Sequence, residues 1–143
     1  MFLGQYERTL DDKSRLAIPT EFRKNLGMGA VMTRSFDKCL CIYPADRWES
    51  LALAVNDFPQ VRAELLDLSR ALFGSAVLCK FDPQGRVSIP AFLREYGDLK
   101  SDAMVVGVNG HVEIWDRDGW LEEQHKFEMK GPALAVALTL SNP

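Results

Sequence analysis

Two stretches of this chain repeat one short pattern: Asp11-Asp12-Lys13-Ser14-Arg15-Leu16-Ala17-Ile18-Pro19 and Asp82-Pro83-Gln84-Gly85-Arg86-Val87-Ser88-Ile89-Pro90. They lie 71 residues apart, and Asp, Arg, Ile and Pro coincide. Further downstream the offset becomes 72, and Trp48 then matches Trp120. Matches that keep their order along the chain indicate an internal duplication.

Each copy predicts the same order of elements: two strands around a polar turn, a helix, two more strands and a last helix. The alternating residues after the turn predict a strand, and Pro19 and Pro90 suit the first turn of a helix. Gly27 and Gly97 are placed to cap these helices. The expected elements of the first copy are 5–10, 15–18, 20–26, 30–33, 39–43 and a helix around Trp48. Those of the second copy are 76–81, 86–89, 91–96, 104–108, 111–115 and a helix around Trp120.

These elements predict an α+β, β-rich fold in four segments. We expect a first repeat over 5–50, a helical linker over 51–75, a second repeat over 76–120, and a C-terminal helix and tail over 121–143. Within the linker, Pro59 precedes an amphipathic helix over 60–73 with a core role. A unit of about 45–50 residues is near the lower limit for an independent core, so the two repeats are expected to pack on each other. The tail is either a docking segment or a frayed end.

Charge and composition exclude several classes of protein. The 143 residues carry a net charge of −3, which counts against a uniformly basic nucleic-acid binder. The acidity is concentrated at the end, because residues 101–143 hold 3 Lys/Arg against 7 Asp/Glu, while residues 1–50 hold 8 against 7. The sequence shows no membrane span and no secretory signal, so a cytoplasmic location is expected.

Three cysteines, Cys39, Cys41 and Cys79, argue against a disulfide framework. A Cys-x-Cys pair can bind a metal ion, but zinc needs about four ligands. The other soft donors, Cys79, His111 and His125, have no ligand spacing, so buried thiols are favoured over a metal site. We also predict no cofactor.

The duplicated pattern resembles the AbrB/SpoVT swapped-hairpin fold, in which Asp-x-x-x-Arg precedes an apolar-x-Ile-Pro segment and a short helix. Two such copies in one chain, the opening Met1-Phe2-Leu3-Gly4, and Val112-Glu113-Ile114-Trp115-Asp116 are similar to the MraZ family of bacterial regulators. The resemblance implies two tandem swapped-hairpin β-barrel repeats about a pseudo-two-fold axis. It also implies a ring-shaped homo-oligomer that binds promoter repeats of its own division and cell-wall gene cluster and represses it, at the nucleoid.

The resemblance further implies that Arg15 and Arg86 contact DNA and that Asp11 and Asp82 are their partners. The chemistry is consistent with this role, since a carboxylate can orient a guanidinium whose fork then meets guanine or phosphate. Arg8, Lys13 and Lys80 lie near the turns in sequence and are candidate phosphate contacts. Ser14 stands where the family often has glycine, and a non-glycine residue resists positive φ, so the geometry of the first turn is open.

Three alternatives remain beside a DNA-binding regulator. Each Asp-x-x-x-Arg pair could be only a surface salt bridge worth at most about 1 kcal/mol. The chain could be an adaptor or an antitoxin-like module whose arginines bind an acidic partner. An enzyme is disfavoured because no Ser/His/Asp grouping, Cys/His grouping or phosphate loop is recognisable. Trp48 and Trp120 are expected to be core or interface anchors.

Overall fold

A computed structural model describes residues 1–57 and 63–141 of the chain. The first copy contains four strands and two helices: β1 (Gln5–Thr9), β2 (Arg15–Ala17), α1 (Thr20–Leu26), β3 (Val31–Arg34), β4 (Leu40–Tyr43) and α2 (Ala45–Asn56). A helix α3 (Ala63–Leu72) follows. The second copy and the tail contain β5 (Val77–Leu78), β6 (Arg86–Ser88), α4 (Ala91–Tyr96), β7 (Asp102–Gly107), β8 (Val112–Asp116), α5 (Arg117–Met129) and α6 (Gly131–Ser141).

The strands form an open six-stranded sheet in the order β1-β7-β8-β4-β3-β5 and a two-stranded ribbon of β2 and β6. The α+β, strand-rich class is confirmed, while within residues 1–57 and 63–141 no sheet closes into a barrel. Every helix in the described part of the chain is too short or too polar to cross a membrane.

Most strand pairing joins one copy to the other. β1 pairs with β7, and its counterpart β5 pairs with β3, so the first strand of each copy joins the third strand of the other. β2 pairs with β6 and β4 pairs with β8, both antiparallel. Only the hairpins β3–β4 and β7–β8 form within one copy in the described residues.

The hydrophobic core is also shared between the copies. Buried side chains from both repeats form one cluster, in which Leu16, Leu40, Leu93 and Ile114 are fully buried. Burying a side chain of this size stabilises a fold by about 1.5–3 kcal/mol. The two repeats therefore pack on each other, as expected for units of this size, and they share one core.

The helices after each turn begin and end as their sequences indicate. α1 and α4 follow Pro19 and Pro90 and have the predicted bounds. Gly27 is the C-cap of α1: it donates its N–H to the carbonyl of Arg23 and has a φ of 63° with a ψ of −153°, a combination that favours glycine.

Gly97 caps α4 as predicted, but it does so without the left-handed conformation that glycine often has at a helix end. Gly97 has a φ of −82°, and the left-handed residue is Asp98 with a φ of 51°. Leu99 donates its N–H to the carbonyl of Arg94, and Asp98 donates its N–H to the carbonyl of Glu95. These two hydrogen bonds form a Schellman motif in which Asp98 is the left-handed residue. Gly97 is buried, and a Cβ there would lie 3.6 Å from Cγ of Leu40.

The strand expected over 76–81 is shorter because the segment changes partners. Val77 and Leu78 pair with β3, Cys79 donates its N–H to the carbonyl of Ala30, and Phe81 forms an isolated bridge with Val87 of β6. The segment therefore leaves the large sheet and joins the ribbon.

The linker and the tail each contain a helix, α3 in the linker and α6 in the tail. The predicted helix over 60–73 is described from Ala63, and Pro59 and residues 60–62 lie outside the described residues. Leu72 is buried, and the hydroxyl of the fully buried Thr33 donates to its carbonyl, which fixes the end of α3 to the sheet. In the tail, α6 exposes Leu134, Val136, Leu138 and Leu140.

Candidate nucleic-acid interface

The first turn is organised around the carboxylate of Asp11. Its Oδ1 accepts the backbone N–H groups of Lys13 and Arg15, each at 2.9 Å, and its Oδ2 accepts Nε of Arg15 at 2.8 Å. Backbone hydrogen bonds from Asp11 to the carbonyl of Arg15 and from Ser14 to the carbonyl of Asp11 close the turn. The aspartate thus fixes both the backbone of the turn and the direction of the arginine.

The second turn repeats this arrangement atom for atom. Oδ1 of Asp82 accepts the N–H groups of Gln84 and Arg86 at 2.9 Å, and its Oδ2 accepts Nε of Arg86 at 2.7 Å. The side chains of Arg15 and Arg86 are each 28% exposed. The duplication seen in the sequence is therefore a duplication of side-chain geometry.

Ser14 does not alter the first turn. Its φ is 59°, and Gly85 at the matching position has a φ of 78°. Both turns thus use the left-handed conformation, and Ser14 adopts it at a cost that glycine avoids.

The ribbon of β2 and β6 places the two arginines side by side. Arg15 lies opposite Ser88 and Ala17 lies opposite Arg86, so both arginines extend from the same face of the ribbon. Leu16 and Val87 extend from the other face and are buried. The core side of the ribbon holds it in place, while the opposite side presents two guanidinium groups.

The two arginines are not equivalent, despite the matching turns. Nη1 of Arg86 also lies 3.5 Å from Oδ2 of Asp11, so Asp11 receives both guanidinium groups. Among the described residues, Nη1 and Nη2 of Arg15 have no corresponding contact with a second aspartate. Arg15 therefore presents a fork that is oriented at Nε and open at its end.

These contacts lower the pKa of both aspartates. The pKa of the Asp11 carboxyl is below its ordinary value, chiefly because the backbone N–H of Arg15 donates to it, and the guanidinium of Arg15 adds to the effect against the opposing effect of burial. Asp82 has a lowered pKa for the same reasons, with Arg86 as the donor. Both carboxylates remain charged at neutral pH and hold their arginines.

The other candidate cations are placed less uniformly. Lys13 lies exposed in the first turn, and Lys80 lies exposed just before the second. Arg8 is directed elsewhere: its guanidinium lies 5.5 Å from the ring centre of Tyr6, and its Nη1 donates to the carbonyl of Glu7. Within residues 1–57 and 63–141, neither lysine forms an ion pair.

A second pair of arginines, Arg23 and Arg94, was not predicted from the sequence, although the 71-residue offset relates them. Nε of Arg23 donates to the carbonyl of Ile18 at 3.0 Å, and Nη1 of Arg94 donates to the matching carbonyl of Ile89. Arg23 also packs on the opposite turn, since a Cβ added to Gly85 would lie 2.4 Å from its Cζ. Extending the alignment beyond Pro19 and Pro90 would have revealed both residues.

The aromatic anchors and the histidines lie away from the ribbon. Trp120 is buried and packs on Trp115, while the half-buried Trp48 packs on Tyr43 and Phe73. His125 is exposed on α5. His111 is not isolated, because its Nε2 lies 3.1 Å from a carboxylate oxygen of Glu113.

Comparison with known proteins gives a consistent result. The family model for the MraZ protein, which describes the family as antitoxin-like, matches residues 1–67 and 72–133, one match for each copy. A protein of Roseiflexus sp. (strain RS-1), named transcriptional regulator MraZ, is 48% identical over 120 residues, 84% of each chain. Proteins of the same name from Thermomicrobium roseum and Moorella thermoacetica are 39% identical over 138 residues and 43% identical over 135 residues. These matches cover 96% of this chain and 97% of the relative in the first case, and 94% of both in the second.

The comparisons confirm the resemblance drawn from the duplicated turns, and they confirm a class of regulator rather than enzyme. Both copies are matched, and the relatives share nearly the full length of the chain. The chain belongs to the MraZ family of transcriptional regulators.

Proposed function

We propose that this protein is a sequence-specific DNA-binding regulator that reads its site with Arg15 and Arg86. One observation carries the proposal: the two guanidinium groups lie side by side on one face of the β2–β6 ribbon, each held by its own aspartate through Nε. A two-stranded ribbon is narrow enough to enter the major groove. An arginine held only through Nε, as Arg15 is, keeps its terminal nitrogens for a bidentate contact with guanine O6 and N7 or with a phosphate, whereas Nη1 of Arg86 would first have to leave Asp11.

The remaining cations are proposed to contact phosphates. Lys13 is the strongest of these because it is exposed within the first turn. Lys80 is exposed before the second turn, and Arg8 would have to leave the ring of Tyr6 to take part. Phosphate contacts give affinity and orientation, while base contacts give specificity.

A single chain offers few cations, and its net charge is −3. Since affinity for DNA grows with the number of phosphates neutralised, one chain should bind weakly. We propose that the protein assembles into a ring-shaped homo-oligomer, so that several ribbons bind repeated promoter sites and gain effective affinity by multivalency. In keeping with the family resemblance, we propose repression of its own division and cell-wall gene cluster, at the nucleoid.

The strand exchange supports a proposal about the architecture. β1 and β5 each leave their own copy to pair with the third strand of the other, and β2 and β6 pair with each other. We propose that this arrangement is the tandem form of the swapped-hairpin fold, with repeats over 5–50 and 76–120 around a pseudo-two-fold axis. The ribbon with both arginines would lie on that axis.

The alternative is an adaptor or antitoxin-like module whose arginines bind an acidic protein. The description of the matching family as antitoxin-like favours keeping it. The two functions differ in what the arginines contact, so a measurement of DNA binding distinguishes them.

The deciding experiment is a gel-shift titration of the full chain on a fragment of the region upstream of its own gene. Arg15→Ala and Arg86→Ala should each weaken binding by about 1–3 kcal/mol and reduce the preference over a scrambled fragment. Arg15→Lys should lose most of that preference as well, since lysine keeps the charge but not the fork. Lys13→Ala should weaken binding to both fragments equally and reduce the salt slope by about 0.9 for each subunit that contacts the DNA.

Arg70→Ala is the matched control, because Arg70 is an exposed arginine on α3 whose ion pair with Asp67 lies outside the ribbon. Its binding should equal that of the parent chain. Unchanged binding by the Arg15→Ala/Arg86→Ala double variant would exclude the proposed contacts. No salt-sensitive binding by the parent chain to either fragment would favour the adaptor.

A further inference from the structure

A cluster of three side chains with metal-binding groups, Cys39, Cys41 and Glu113, lies on the face of the large sheet opposite the core. Leu40 and Ile42 of β4 are directed into the core, so Cys39 and Cys41 are directed to the other side. There Cys39 packs with Val106, Trp115 and Trp120. Cys39 is 0% exposed and Cys41 is 3% exposed.

The duplication explains why donors from both copies meet at this place. At the offset of 72, Cys39 matches His111 and Cys41 matches Glu113. In the β4–β8 ladder, Cys41 lies directly opposite Glu113. Continuing this register places Cys39 opposite Trp115 and His111 opposite Tyr43, on which it stacks, so the Cys-x-Cys pair meets Glu113 directly and His111 lies at its edge.

The distances suit one small ion. The sulfur atoms of Cys39 and Cys41 and a carboxylate oxygen of Glu113 all lie within 4.8 Å of one another. Nε2 of His111 lies 3.1 Å from Oε2 of Glu113. Ligand atoms around a tetrahedral zinc ion are about 3.3–3.8 Å apart, given bond lengths of about 2.0–2.3 Å.

Further contacts orient the donors as an outer shell would. The hydroxyl of Ser35 lies 3.0 Å from the sulfur of Cys39, and Nε1 of Trp115 donates to Oε1 of Glu113 at 2.9 Å. Oε2 of Glu113 stays directed to His111. Such contacts, made by groups that do not themselves bind the ion, are typical of metal sites. A groove lined by Tyr43, Arg47, Ser50 and Leu51 opens beside His111 and provides access.

We propose that Cys39, Cys41 and Glu113 bind one thiophilic divalent cation of the zinc class, and that His111 orients Glu113 from the edge of the site. Two thiolates select zinc over magnesium or calcium, which prefer oxygen ligands alone. The ion would link β4 to β8, and so the first copy to the second. Binding would therefore stabilise the pairing of the two repeats.

The test is a titration of the reduced, chelator-treated full chain with Co²⁺ under a thiol-free reductant. We expect one Co²⁺ per chain, with the thiolate-to-cobalt charge-transfer band and the strong visible bands of tetrahedral cobalt, both displaced by Zn²⁺. Cys39→Ala/Cys41→Ala should abolish the charge-transfer band. Glu113→Gln and His111→Ala should weaken binding at least about ten-fold, and Ser35→Ala should weaken it by about ten-fold.

Cys79→Ala is the matched control, because Cys79 packs against the other hydrophobic cluster and lies outside this donor set. It should keep the full spectrum. A parent chain without the band at equimolar Co²⁺, or a band that survives Cys39→Ala/Cys41→Ala, would overturn the site and leave the cysteines as buried thiols only.

Because removing two buried cysteines can prevent folding, a measurement on the parent chain decides independently. Equimolar Zn²⁺ should raise its thermal unfolding midpoint, since an ion that binds the folded chain stabilises it. An unchanged or lowered midpoint would overturn the proposal, because zinc held by unfolded thiols does not stabilise the fold.

Discussion

Each aspartate of the two turns divides its oxygens between two tasks. Oδ1 accepts two backbone N–H groups, and Oδ2 accepts the guanidinium of the arginine four residues later. A charge-assisted hydrogen bond of this kind is stronger than a neutral one and keeps the arginine in one direction. The residues thus form a small unit in which the backbone turn and the arginine orientation depend on the same carboxylate.

The lowered pKa of these two carboxyls can be measured directly. Asp11 and Asp82 should titrate below 3.8, as measured by the carbon-13 shifts of their carboxyl groups against pH. Since their pKa is lowered in the folded chain, the stability that they contribute is present above 3.8 and is lost as the pH falls through the lowered pKa.

Arg15→Ala sharpens this prediction. It should raise the pKa of Asp11 only part of the way to 3.8, because the backbone N–H of residue 15, the largest cause of the shift, still donates. Asp82 has its own arginine and serves as the internal control. An Asp11 that titrates at or above 3.8 in the parent chain would contradict the turn geometry.

Sequence patterns predicted the two Asp–Arg pairs but not their surroundings. The spacing of four residues was sufficient to identify Asp11 with Arg15 and Asp82 with Arg86. Local spacing contained no information about the second contact from Arg86 to Asp11, which arises only when β2 and β6 pair. The grouping of Cys41 with Glu113 was missed for the same reason, because it depends on the β4–β8 register.

At the scale of elements, the two turns share one conformation but tolerate different residues. Ser14 and Gly85 both have positive φ, and the guanidinium of Arg23 lies against Gly85. A side chain at Gly85 would have to displace Arg23 from the carbonyl of Ile18.

Substitutions at these two positions give a matched pair of variants. Gly85→Ala should lower the free energy of unfolding by at least about 1 kcal/mol, because it adds both left-handed strain and a contact with Arg23. Ser14→Gly should change it by less than about 0.5 kcal/mol, since relief of strain is offset by the greater freedom of glycine when unfolded.

Urea denaturation at equilibrium measures both effects. Combining Gly85→Ala with Arg23→Ala should recover part of the loss, which isolates the contact from the strain. Equal costs for Gly85→Ala and Ser14→Gly would show that Arg23 does not constrain the second turn.

The helices were easier to predict than the strands. α1 and α4 have the expected bounds because a proline begins each and local backbone hydrogen bonds end each. β5 is shorter than predicted because its segment changes partners between the sheet and the ribbon, and partners distant in sequence leave no local signal.

At the scale of the whole molecule, neither copy is a complete unit. Among the described residues, β1, β2, β5 and β6 pair only with strands of the other copy, apart from the isolated bridge of Phe81 to Val87, and the main core contains side chains from both copies. The proposed domain boundaries therefore divide the sequence but not the core.

Separating the halves should show this dependence. Fragments 1–75 and 76–143, expressed alone, should lack a cooperative thermal transition, because each keeps one hairpin and exposes half of a shared core. An equimolar mixture should regain the far-ultraviolet circular dichroism and the transition of the intact chain. A fragment that unfolds cooperatively by itself would contradict the shared core.

The pairing of β1 with β7 of the second copy also delays the formation of the sheet during synthesis. Gln5 pairs with Val106, so β1 emerges from the ribosome about 100 residues before its partner. At about 5–20 residues per second, that strand waits roughly 5–20 s with its backbone groups unpaired. The nascent first half must therefore remain free of other chains until the second half is made, and translation speed through residues 10–102 becomes a determinant of the yield of folded protein.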